Sequence, residues 1–125
     1  MSEVMTRQRL SAYRILNREI SRTEERLARF KASPRGETES QKKKIKLIED
    51  ALKDYLADSR AEAAELLRYI ESIEDPFTKE IFMLRYYDGI RSWQKISFLV
   101  DEFDESSVRR IHNAYLKAHP YAPSE

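Results

Sequence analysis

Cysteine is absent from the 125-residue chain, which removes disulfides, thiolate nucleophiles and Cys-based zinc sites. Glycine occurs only twice, at Gly36 and Gly89, and the alternating β-branched runs that mark strands are missing, so a β fold is not expected. No apolar run approaches the roughly 20 residues that cross a bilayer. Glu3, Arg7 and Arg9 stand where a signal peptide would need its apolar core. These absences lead to the expectation of a soluble, cytoplasmic protein without a membrane partner. Neither sign of charge dominates, with 23 Lys and Arg against 22 Asp and Glu, so net charge alone does not announce a polyanion binder.

Motifs that carry catalysis are also missing. The chain has no Gly-rich phosphate loop, no His-Glu-x-x-His, no nucleophile elbow and no Glu-x-x-His pair of the kind that builds carboxylate-bridged metal sites. His112 and His119 are the two histidines, too few ligands for a metal site. Acidic pairs such as Glu24-Glu25 and Glu62-Glu65 lie among Arg and Lys and read as surface ion pairs. The chain is expected not to be an enzyme, and no catalytic residue, metal or cofactor is assigned.

What the chain does contain is helical periodicity. In the first 74 residues, Leu10, Tyr13, Leu16, Ile20, Thr23, Leu27 and Phe30 alternate steps of three and four, the stripe of a helix packed along its length. Ala32-Ser33-Pro34-Arg35-Gly36-Glu37-Thr38 then breaks the pattern with Pro and Gly and is expected as a loop. A second stripe follows through Ile45, Ile48, Leu52, Tyr55, Ser59, Glu62 or Ala63, Leu66, Tyr69 and Ile73. Residues 1–74 are thus expected as a long antiparallel helical hairpin, coiled-coil-like. Leu47, Leu56, Leu67 and Ile70 would leave a lone hairpin partly wet. A homodimer or higher homo-oligomer would cover them. In a competing geometry the hairpin folds back onto the C-terminal segment at Phe82 and Tyr86.

Residues 75–119 carry denser punctuation. Asp75 can cap a helix that starts at Pro76, with Phe77, Ile81 and Leu84 on one face and Gly89 to close it. Ser92 precedes a short one-sided helix bearing Trp93, Ile96, Leu99 and Val100. After the polar run Asp101-Glu102-Phe103-Asp104, Asp104 can cap a last helix from about Glu105 to Ala118, stopped by His119-Pro120. Residues 120–125 form a tail. On the last helix Val108, Ile111, Tyr115 and Leu116 face inward, and Ser106, Arg110, Asn113 and Lys117 face out. Arg suits guanine, Asn suits adenine, and Ser and Lys suit phosphate. The candidate DNA-binding residues are therefore Ser106, Ser107, Arg109, Arg110, Asn113 and Lys117, with Arg109 on the flank as a phosphate contact or as an i,i+4 partner of Glu105. A blander reading leaves the same face merely solvated. Trp93 reads as core, His112 as a packed histidine, and Lys42-Lys43-Lys44 as a solvated run.

The residues Asp75-Pro76, Ile81-Phe82-Met83-Leu84-Arg85-Tyr86-Tyr87-Asp88-Gly89, Ser92-Trp93-Gln94-Lys95-Ile96, Val108-Arg109-Arg110-Ile111-His112 and Leu116 resemble sigma-70 region 4. The variant they resemble is that of phage-encoded ArpU-like and RinA-like late-transcription regulators and their uncharacterised phage relatives. The resemblance covers about the last 45 residues. It implies a helix-turn-helix module in an all-α chain, double-stranded DNA as partner, contact with RNA polymerase, and the bacterial host cytoplasm as location. The function it implies is a phage or prophage sequence-specific transcription regulator. A small-terminase-like DNA-packaging protein and a non-DNA-binding adaptor of RNA polymerase are the alternatives. From Asp75 onward seven Lys and Arg meet eight Asp and Glu, so one copy is expected to hold DNA weakly.

Overall fold

Short polar side chains start five helices, because the first N–H groups of a helix have no partner inside it. Thr6, Asp75, Ser92 and Asp104 accept from the backbone N–H of Arg9, Thr78, Lys95 and Ser106 at 3.0, 3.0, 3.1 and 3.0 Å. Thr38 and Gln41 exchange reciprocal bonds of 3.1 Å in a capping box. The resulting elements, in a computed structural model describing residues 3–32, 38–102 and 104–124, are α1 (Arg7–Ser11), α2 (Tyr13–Ala32), α3 (Glu39–Glu71), α4 (Pro76–Phe82), a π-helical turn (Met83–Tyr87), α5 (Trp93–Leu99) and α6 (Glu105–Ala118). The chain is all-α, with no strand among the described residues. Residues 33–37 of the expected loop, and Phe103, lie outside the described residues. No described helix is long and apolar enough to cross a membrane.

Packing divides the chain into two compact units, Met1–Arg14 with Ala64–Glu125, and Ile15–Ala63. In the second of these, Leu16, Ile20, Thr23, Leu27 and Phe30 form the buried or half-buried side of α2, as the three-and-four spacing expects. On α3 the inward line is Ile45, Glu49, Leu52, Leu56, Ser59 and Ala63. The expected line through Ile48 and Tyr55 is therefore corrected by one residue at alternate steps. Leu56 and Tyr55 compete for the same layer, and Leu needs no partner for a hydroxyl when buried. A groove between the helices is lined by Leu27, Ala28, Lys31, Lys53, Leu56 and Ala57, and Glu24 meets Arg60 at 3.1 Å at its edge.

The other unit has its core where α4, α5 and α6 meet. Ile81, Ile96 and Val108 are fully buried, with Phe77, Leu84, Ile90, Trp93, Val100 and Ile111 packed around them. A further buried set comprises Met5, Leu10, Tyr13, Leu66, Tyr69, Ile70 and Ile73. Tyr69 of α3 lies 6.2 Å from Phe82 and 5.8 Å from Tyr115, ring to ring, and its hydroxyl donates to the His119 carbonyl at 2.7 Å. Phe82 and Tyr86 are accordingly buried. The expected tail begins tied down, since Met5 N–H donates to the Pro120 carbonyl at 2.6 Å.

One glycine has a conformational task. The π turn ends at Asp88, and Gly89 follows at φ +79°, a backbone region that a Cβ disfavours. Ile90 N–H then reaches back to the Leu84 carbonyl at 2.9 Å. The Arg14 guanidinium donates to the Tyr87 and Asp88 carbonyls, a cation on the negative end of the helix. It also fills the space a Cβ at position 89 would enter.

Two substitutions test this packing. Ile96→Ala should cost roughly 2–5 kcal/mol through the cavity it opens, and Gly89→Ala about 1–2 kcal/mol through backbone strain. Both are read as lowered urea midpoints at unchanged slope. A loss below about 0.5 kcal/mol for Ile96→Ala would contradict its place in the core.

Candidate nucleic-acid interface

The orientation of α6 is set by its first and middle turns. Asp104 accepts from Ser106 N–H with one carboxylate oxygen and from the Ser107 hydroxyl, at 3.2 Å, with the other. From this fixed start, Val108, Ile111, His112, Tyr115 and Leu116 turn to the buried or half-buried side. Ser106, Arg109, Arg110, Asn113, Ala114 and Lys117 are exposed and line one continuous surface.

Five of the six expected contact residues share that surface. Ser107 is half-buried, and its hydroxyl also accepts from Arg110 Nη2 at 3.2 Å, so it braces Arg110 from beneath. Arg109 pairs with Glu105 at 4.0 Å, both about half exposed. Exposed i,i+4 pairs of this kind contribute at most a few tenths of a kcal/mol, which leaves the guanidinium available to a stronger anion. Ala114 carries no polar group by which its sequence could mark it as a contact; its methyl group can meet a thymine methyl in a major groove. Trp93 packs on the core, and the Arg85 guanidinium lies 3.9 Å over its ring.

Beneath the surface is a polar chain through aromatic packing. The His112 ring stacks on Phe82 at 4.6 Å and meets the Trp93 and Tyr86 rings at 4.9 and 5.6 Å. Its Nδ1 lies 2.9 Å from Asn113 Oδ1 and its Nε2 2.6 Å from the Tyr86 hydroxyl. Asn113 Oδ1 can only accept, so Nδ1 carries the ring proton and Nε2 accepts from Tyr86. Desolvation pushes the His112 pKa down to about 4 against the opposing bond to Asn113, with Arg85 and Arg7 lowering it further. Desolvation likewise pushes Tyr86 up to about 12. Tyr86 is a firm donor and His112 a neutral relay. Asn113 retains its NH₂ group and a second lone pair on Oδ1, the pair of functions that adenine recognition uses.

Comparison of the chain with protein-family models, curated proteins and solved structures found no match. The chemistry of the surface therefore carries the reading. Arg109, Arg110 and Lys117 give it three cations within a helical face, while a separate groove lined by Tyr69, Tyr115 and Tyr121 bears the carboxylates of Glu74 and Asp75. A polyanion suits the first and is repelled by the second. Among the described residues no group of three or more His, Cys, Asp or Glu side chains could hold a metal ion.

The buried imidazole has a pH consequence. Its folded pKa lies below the ordinary histidine value of about 6.5, so between about pH 6.5 and 4 the unfolded chain binds a proton that the folded one refuses. Stability contributed by His112 is complete above that window and falls as pH drops through it. Urea midpoints measured from pH 7 to 4.5 should decline, and His112→Gln should flatten the decline. An equal slope in the variant would show that His112 is not its source.

Proposed function

We propose that the chain is a sequence-specific, double-stranded-DNA-binding transcription regulator of phage or prophage type, with α6 as its reading helix. The observation that carries this reading is the single exposed face of Ser106, Arg109, Arg110, Asn113, Ala114 and Lys117. Cations, an amide and a methyl group on successive turns are what a helix in a major groove uses for phosphate, guanine, adenine and thymine. The tight succession of α4, α5 and α6 around Ile81, Ile96 and Val108 fits a helix-turn-helix module similar to sigma-70 region 4. Leu16–Phe30 spacing on α2 and the Glu24–Arg60 pair with α3 fit a helical hairpin before it. On this reading the near-neutral total charge is a smaller obstacle than the sum implies, because three cations, Arg109, Arg110 and Lys117, share one face. A homodimer or higher oligomer would multiply them.

A second reading, contact with RNA polymerase, is favoured by one feature. Phe98 is 79% and Leu99 48% exposed on α5, and adjacent exposed large apolar side chains mark protein contacts. The two readings are compatible, and in a pure adaptor this patch would act without DNA.

Binding to a duplex enriched from random-sequence DNA, followed by fluorescence anisotropy over a salt series, tests the reading. Arg110→Ala should cost about 1–3 kcal/mol on the enriched duplex and relax preference at one position. Lys117→Ala should weaken all duplexes alike and reduce the log–log salt slope by about 1. No enrichment, or an Arg110→Ala variant that binds as tightly as the parent, would reject α6 as the reading helix. Polymerase retention that survives Arg110→Ala and is lost in Phe98→Ser would favour the adaptor.

A further inference from the structure

The line of α3 displaced from the inward side leaves a second apolar face. Leu47 is 69%, Ile48 43% and Tyr55 45% exposed, and Ala51 is exposed between them. At 100° per residue these four side chains share one face, about a quarter-turn from the buried line through Leu52 and Leu56. Lys44 and Asp58, both exposed, stand at its two ends.

The order of Lys44, Leu47, Ala51, Tyr55 and Asp58 is complementary to itself. Leu47 and Tyr55 are each four residues from Ala51, and Lys44 and Asp58 are each seven. A two-fold axis beside Ala51 therefore sets Leu47 against Tyr55 of an antiparallel second copy, and Lys44 against its Asp58, with each pairing made twice. The small side chain of Ala51 falls at the crossing point, where helix backbones come closest. We infer that the Lys44–Asp58 stretch of α3 is an isologous interface through which two copies of this chain pair antiparallel.

The matched charges at equal offsets select a second copy over an unrelated helix. The strip spans about 12 Å between Leu47 and Tyr55 at 1.5 Å per residue, well short of the surface of a permanent complex. The dimer is thus of the weak, concentration-dependent class. The pairing stands apart from DNA recognition, as no residue of α6 enters it.

The charge pattern supplies a test that misfolding cannot imitate. Sedimentation velocity of the full chain, without DNA and at low salt, should give a monomer–dimer equilibrium. Lys44→Asp or Asp58→Lys alone should weaken it about tenfold or more, because each sets like charges opposite one another twice. The double variant should recover the parent affinity. An equimolar mixture of the two single variants should form a heterodimer, since each then meets the opposite charge at both ends. Leu47→Glu should abolish pairing and Tyr55→Phe should retain it. A chain that stays monomeric, or a dimer indifferent to the single reversals, or single variants that fail to pair when mixed, would overturn the interface. Because DNA is absent throughout, none of these outcomes bears on whether α6 reads a duplex.

Discussion

The outer face of α6 depends on a neutral imidazole held inside. His112 is fully buried and walled by Phe82, Tyr86 and Trp93, so each neighbouring element contributes one side of its enclosure. A protonated ring would be expensive there, and an unpaired nitrogen only somewhat less so. Both costs are avoided because Tyr86 and Asn113 satisfy the two nitrogens. Turning α6 by one residue would move the ring by about 100° and sever both bonds at once. The exposed set of Ser106, Arg109, Arg110, Asn113, Ala114 and Lys117 is thus the geometrical remainder of an inward constraint.

That constraint reaches beyond α4, α5 and α6. Tyr86 meets His112 from the π turn, whose end is held by Gly89 and by Arg14 on the Tyr87 and Asp88 carbonyls. Tyr13 stacks against Tyr87 at 6.0 Å, and Tyr69 covers Phe82. The N-terminal residues and the end of α3 therefore support the candidate site although none of them lies on its surface. Arg9 adds an ion pair to Glu65 at 2.9 Å, with both side chains largely shielded from water. A chain cut at Asp75 would lose the cation on the helix end and expose the aromatic set.

Local chemistry was legible in the sequence and tertiary choice was not. Asp75, Ser92, Asp104 and Gly89 announce helix ends because caps act within three residues of themselves. The outward side of α6 was legible for the same reason, a 3.6-residue period with strong apolar contrast. The line on α3 was misplaced because Leu56 and Tyr55 are adjacent and both apolar, and only the neighbouring helix decides between them. Asp75 marks where a helix starts but carries no sign that Tyr69 of α3 packs against Phe82 of α4 and Tyr115 of α6. The bond from His112 to Asn113 left no signal either, since neighbours on a helix point about 100° apart and a buried side chain is not expected to hold an exposed one. Ser107 reads as a contact residue by type, and its half-buried hydroxyl donates to Asp104 and accepts from Arg110, neither of which its spacing announces.

Charge shows why a sum over the chain is a poor guide to its partners. Seven cations and eight anions from Asp75 onward nearly cancel, but Arg109, Arg110 and Lys117 share the α6 face, while Asp75 shares a groove elsewhere with Glu74, the residue just before that stretch. Phosphate neutralisation responds to the local arrangement within roughly a Debye length, about 8–10 Å at ordinary ionic strength, and not to the total. On the proposed reading, three cations release few counterions per copy, which limits what one α6 can hold. The inferred pairing through α3 would double that number without altering any residue of the reading face, because the two surfaces have no residue in common. Affinity and sequence preference could then be tuned separately, the first by Leu47, Tyr55 and the charges that flank them, the second by Arg110 and the His112-braced Asn113.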